Sequence, residues 1–73
     1  MSDPLLDSLA AAVSGAPEDA ELRALYAERL AGAGRRDDAI GQALVVLSQR
    51  PGHAAARELL DRLSGAEEGA ADH

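Results

Sequence analysis

The chain has 73 residues, no cysteine, tryptophan or phenylalanine, a single tyrosine, and a formal net charge of −6. A chain this short forms one small domain at most, and its core must come from Leu, Val, Ile and Ala, without disulfides or a thiolate metal site. Thirteen acidic residues stand against seven basic ones, all arginine, a balance that argues against nonspecific nucleic-acid binding and against an anionic membrane surface. The opening "MSDPLLD" has no basic n-region, and no apolar run approaches the length of a bilayer span. Cytoplasm is the expected compartment by elimination.

In chain order, the first helix starts at "SDPLLDSLAAAVSG". Asp3 suits the N-cap and Pro4 the first helical position. Leu5, Leu6, Leu9, Ala12 and Val13 form its apolar stripe, and Gly15 and Pro17 end it. The second helix reads from about Ala20 to Ala33, capped by Asp19, with Leu22, Leu25, Tyr26 and Leu30 as its larger apolar groups. "GAG" at 32–34 stops it. The third runs from near Asp37 to about Gln49, with acids at its start as the helix dipole favours. Ala39, Ile40, Ala43, Leu44, Val46 and Leu47 cover a broad face, so two of its sides are expected to be buried. Gly41 lowers helix propensity, and close packing there would compensate. A fourth helix fits Ala54 to Leu63, with Leu59, Leu60 and Leu63 inward. The expected domain is thus 4–63, and the acidic stretch 64–73 reads as a flexible tail or linker. The short connections favour antiparallel helical hairpins in an all-α fold.

Pro17 and Pro51 are thirty-four residues apart, and a shift of that length aligns further positions. Leu9 meets Ala43, Val13 meets Leu47, Ala20 meets Ala54, and Tyr26 meets Leu60. Ala20 to His53 resembles one complete tetratricopeptide repeat, a helical hairpin of that period. Tyr26 and Ala27 stand at its large-then-small pair, Leu30 at the next large position, Gly34 at the inter-helix turn, Ala39 and Ala43 in the second helix, and Pro51 at the closing proline. Leu5 to Pro17 and Ala54 to Leu63 resemble half-repeats on either side. Arg23, Val46 and Asp61 depart from the pattern. The resemblance implies a four-helix fragment of a right-handed solenoid. It also resembles the N-terminal modules that precede ATPase domains in some high-GC bacteria, which would make the chain part of a larger bacterial protein.

Other readings of "LAGAGRRDDAIGQALVVLSQRPG" fit less well. A phosphate loop would end in Lys followed by Ser or Thr and follow a strand. A DNA-reading helix would not open on Asp37 and Asp38 or continue with apolar residues. Arg35 and Arg36 are expected to form a solvated pair offsetting the adjacent acids. Ser8, Ser14, Ser48 and Ser64 have no base placed by sequence, and His53 and His73 do not suggest a metal site. His53 reads as an exposed residue near a helix start, and Tyr26 as core. No cofactor, metal or catalytic residue is expected.

The resemblance implies a protein-interaction or adaptor module, because first helices of successive repeats line a partner groove in that family. The matching positions here are Glu21, Ala24, Glu28 and Ala31, followed by Ala55, Glu58 and Arg62. Ala24 and Glu28 replace the lysine and asparagine that hold a partner's C-terminal carboxylate in one subgroup. An acidic, alanine-lined groove instead suits a basic or apolar helix. The alternative is a homodimer or structural module buried through terminal helix faces bearing Leu5, Leu6, Leu59 or Leu63.

Overall fold

The computed structural model describes the backbone of residues 3–71 and the side chains of residues 3–65. Four α-helices follow one another: α1 (Pro4–Gly15), α2 (Ala20–Gly32), α3 (Arg36–Gln49) and α4 (Ala54–Ala71). Among the described residues there is no β-sheet. Each helix packs on its sequence neighbour, and α2 also touches α4. The result is an all-α arrangement consistent with a helical repeat.

The helix starts are set by local chemistry. Asp3 Oδ1 accepts from the Leu5 N–H at 3.0 Å, with Pro4 in the first turn. Asp19 Oδ1 accepts from the Leu22 N–H at 3.0 Å. Both satisfy donors that the first turn of a helix leaves open. α3 begins one residue earlier than its acids suggest, and Arg35 before it provides no side-chain cap. Its first turn carries Asp37 and Asp38 beside the positive end of the helix dipole.

The connections are equally specific. Between α2 and α3, the Arg35 N–H donates to the Leu30 carbonyl at 2.9 Å and the Gly34 N–H to the Ala31 carbonyl at 3.1 Å. This Schellman pattern needs a left-handed residue, supplied by Gly34 at φ 82°. The other two connections are built alike. The Asp19 N–H donates to the Ala16 carbonyl at 3.0 Å across Pro17, and the His53 N–H to the Arg50 carbonyl at 3.0 Å across Pro51. In each, the last turn residue caps the next helix: Asp19 at Leu22, and His53 through Nδ1 at the Ala56 N–H, 3.3 Å away. The thirty-four-residue shift therefore relates two turns of the same design.

The core is narrow and rich in alanine. One cluster gathers Ala20, Ala24 and Ala27 of α2, Ala43 and Val46 of α3, and Ala56 and Leu59 of α4. The other joins Leu6, Leu30 and Ala39, with Tyr26 half-buried against it. Small side chains let these helices approach closely, while Leu30, Leu59 and Val46 are the largest fully buried groups.

Several expected core positions are instead open. Leu5 and Leu25 are exposed, Ala12 is exposed, and Leu44 is 54 % accessible; Val45, which the apolar face read from sequence did not include, is 38 % accessible. α3 thus buries one side through Ala39, Ala43 and Val46, with Ile40 and Leu47 half-buried at its edge. The broad apolar face does not become two buried sides, because α2 and α4 cover only part of the helix. Close packing within the chain does not account for Gly41 either: a Cβ there would meet nothing within 4 Å. α4 continues to Ala71, past Leu63 where its apolar spacing stops. Asp72 and His73, the last residues of the expected tail, lie outside the described residues.

Candidate functional site

α2 and α4 run side by side in the same direction. Glu21 near the start of α2 faces His53 before α4, and Ala31 near its end lines the same hollow as Leu63. Between their later turns lies an open groove of about 360 Å³ lined by Glu28, Ala31, Gly32, Leu59, Arg62 and Leu63. Ala31 and Gly32 keep one wall low, half-buried Leu63 supplies the apolar surface opposite while Leu59 is almost wholly buried, and Glu28 and Arg62 bring charges of opposite sign.

The structure divides the surface expected from the sequence. Glu28, Ala31 and Arg62 meet in this groove. Glu21 and Ala55 line a different hollow, of about 650 Å³, at the other end of the helix pair with Gln49–Ala54. Glu58 is exposed but lines neither. Ala24 does not lie on this surface. It is only 5 % accessible and belongs to the core, because the close approach of α3 and α4 to α2 covers it. Gly32, Leu59 and Leu63 were not assigned to the surface from sequence. Leu59 and Leu63 read there as inward residues or as part of a terminal face open to a second copy; Leu59 belongs to the core, and half-buried Leu63 packs against the core and lines the groove. A third hollow, about 450 Å³, lies on the α1 side of α2 and contains Leu5, Leu25 and Glu28.

The terminal faces expected to support a homodimer are only partly available. Leu6 and Leu59 are buried in the monomer and Leu63 is half-buried, leaving Leu5 exposed.

His53 is not the exposed residue its position suggests. Its side chain is only 7 % accessible. Nδ1 accepts from the Ala56 N–H, so a neutral ring places its proton on Nε2. Nε2 lies 3.3 Å from Glu21 Oε2 but is not aligned for a hydrogen bond. The imidazole thus caps α4 and brings the starts of α2 and α4 together. The sequence signal was its place thirty-four residues after the cap Asp19.

Arg23, a departure from the repeat pattern, also has a structural task. Its Nη1 donates to Gln42 Oε1 at 2.8 Å and its Nη2 to the Pro17 carbonyl at 3.2 Å. Gln49 Nε2 donates to that same carbonyl at 2.9 Å. The first turn is thereby tied to both α2 and α3. Arg35 pairs with Asp38 at 2.9 Å and Arg36 lies 4.0 Å from Asp37, in an exposed, acid-matched setting.

Comparison with protein-family models, curated proteins and solved structures returns no match. Among the described residues, no helix is long and apolar enough to cross a membrane.

Proposed function

We propose that this chain is a non-catalytic protein-interaction module that receives a partner helix in the groove between α2 and α4. The observation carrying this reading is the joining of the apolar surface of half-buried Leu63 to the low Ala31–Gly32 edge between Glu28 and Arg62. Low residues permit backbone approach, Leu63 receives apolar side chains, and the two charges favour one orientation of a polar partner. With a chain charge of −6, a basic amphipathic helix is the fitting class of ligand.

The finer reading is that the four helices form a tetratricopeptide-like fragment. Two proline turns of the same hydrogen-bonded design support it, as does the lateral pairing of α2 with α4. In that family the first helices of successive repeats line the partner groove, the place α2 and α4 would take.

A display selection of amphipathic helical peptides on the immobilised chain tests the proposal. Enriched peptides should combine an apolar stripe with Lys or Arg. Glu28→Arg should weaken them about tenfold, equivalent to about 1.4 kcal/mol. Gly32→Gln should also weaken them by filling the groove edge, since a Cβ there meets no neighbour within 4 Å. Failure to enrich peptides, or equal binding by both variants with unchanged circular dichroism, would overturn the groove assignment.

A further inference from the structure

The start of α4 holds a polar group that the fold leaves unsatisfied. The His53 side chain is only 7 % accessible, yet its Nε2 makes no hydrogen bond. Nδ1 is committed as the acceptor for the Ala56 N–H, so the neutral ring donates only from Nε2. A buried donor without an acceptor is costly, and native proteins seldom leave one unmet. Nε2 points to Glu21 Oε2 across the hollow of about 650 Å³ that His53 lines with Glu21, Arg50, Ala54 and Ala55. An acceptor brought into that hollow would satisfy it.

We infer that this hollow binds a phosphate group, free or as a monoester. The Ala54 and Ala55 N–H groups belong to the first turn of α4, where a helix has no internal acceptor and its dipole favours an anion. The capping bond from His53 takes up only the Ala56 N–H. Arg50 is exposed, and its guanidinium is in no ion pair among the described residues. With His53 Nε2, the stretch 50–55 thus lines one hollow with backbone, imidazole and guanidinium donors.

Glu21 shows which chemistry the donor attracts and sets what a ligand must displace. Its carboxylate is 75 % accessible and stands 3.3 Å from Nε2 without the alignment of a hydrogen bond. So loosely held a group moves into solvent at small cost, and the incoming oxyanion takes its place. A tethered carboxylate competes at an effective concentration in the millimolar range, so a free carboxylate of equal charge gains little. A phosphate monoester carries about −1.5 to −2 charge at pH 7 and three strong acceptor oxygens, enough to accept from Nε2, the α4 amides and Arg50. The chain's charge of −6 opposes anions at a distance. Physiological salt screens that opposition beyond about 8 Å, and the local donors then decide. The site lies at the other end of the helix pair from Glu28 and Arg62, so its test is independent of peptide binding in that groove.

An amide proton–nitrogen NMR titration of the full chain, at fixed neutral pH and ionic strength, provides that test. With inorganic phosphate the Ala54 and Ala55 amides should shift saturably. The Leu5 and Leu22 amides, already capped by Asp3 and Asp19, should not follow. Glu21→Gln removes the competing charge and should tighten phosphate about threefold, and Arg50→Gln should weaken it about threefold. His53→Asp keeps a cap of the kind Asp19 gives α2, so α4 should persist, but it sets a carboxylate where the donor was and should abolish the shifts. Methyl phosphate in place of inorganic phosphate separates the two sources: the tighter probe names an esterified or a free ligand. No saturable shift with either probe would overturn the inference, as would equal affinity in the parent and Glu21→Gln chains. Acetate binding as tightly as phosphate would overturn the choice of phosphate. Equal shifts at the Leu5 and Leu22 amides would overturn the site.

Discussion

Glycine has opposite meanings at two positions in this chain. Gly34 holds φ at 82°, where an L side chain is strained, and its N–H closes the end of α2. Gly41 lies inside α3 with ordinary helical geometry and open space where a Cβ would stand. Gly34→Ala should therefore cost about 1 kcal/mol, whereas Gly41→Ala should stabilise the chain by up to about 1 kcal/mol. Urea unfolding midpoints should move in opposite directions. Similar losses at both positions would show that Gly41 is needed for the fold of the single chain.

At the scale of the element, two unlike residues begin two helices by the same bond. Asp19 offers a carboxylate to Leu22 N–H, and His53 offers Nδ1 to Ala56 N–H. Asp19→Ala should cost about 1 kcal/mol. His53→Ala should cost at least as much, because it removes both the cap and a buried ring, whereas Asn at 53 retains an acceptor for the cap. Thermal melts of these variants measure the difference; equal melting of the Ala and Asn variants at 53 would deny the cap its role. Much of this architecture was legible from short-range rules. Asp3, Pro4, Asp19 and Gly34 each act within a few residues, so composition and order suffice to place them. Burial on α3 was less legible, because Leu44 and Leu47 look alike in periodicity but differ in which neighbour reaches them. The surface suffered similarly at Ala24: a matching repeat position does not reveal how closely two adjoining helices close over it. Likewise, the sequence offered no local sign that Arg23 would share the Pro17 carbonyl with Gln49, a residue thirty-two positions beyond that proline.

The Cα trace of the whole molecule extends over 42 × 34 × 13 Å, and the accessible surface is 4719 Å². That exceeds the roughly 4,200 Å² of a compact protein of this mass. Its core contains many alanines, so a few larger side chains carry much of the apolar burial. Leu30 is one of them, packed with Leu6 and Ala39 across α1, α2 and α3. Leu30→Ala should cost about 2–5 kcal/mol, a large share of the roughly 4–11 kcal/mol typical for a domain of this length. Thermal unfolding followed by circular dichroism should shift far below the parent transition. A shift of only a few degrees would show that the two clusters do not depend on this contact.

The order of helix contacts also sets the time at which the groove comes into existence. Helices that pack on their sequence neighbours close short loops and favour rapid folding. During synthesis, α1, α2 and α3 emerge before the groove surface supplied by Leu63. The nascent chain can therefore assemble the Pro17 clasp between α2 and α3 while it still has no α2–α4 groove. The recognition proposed at that groove begins only when α4 arrives.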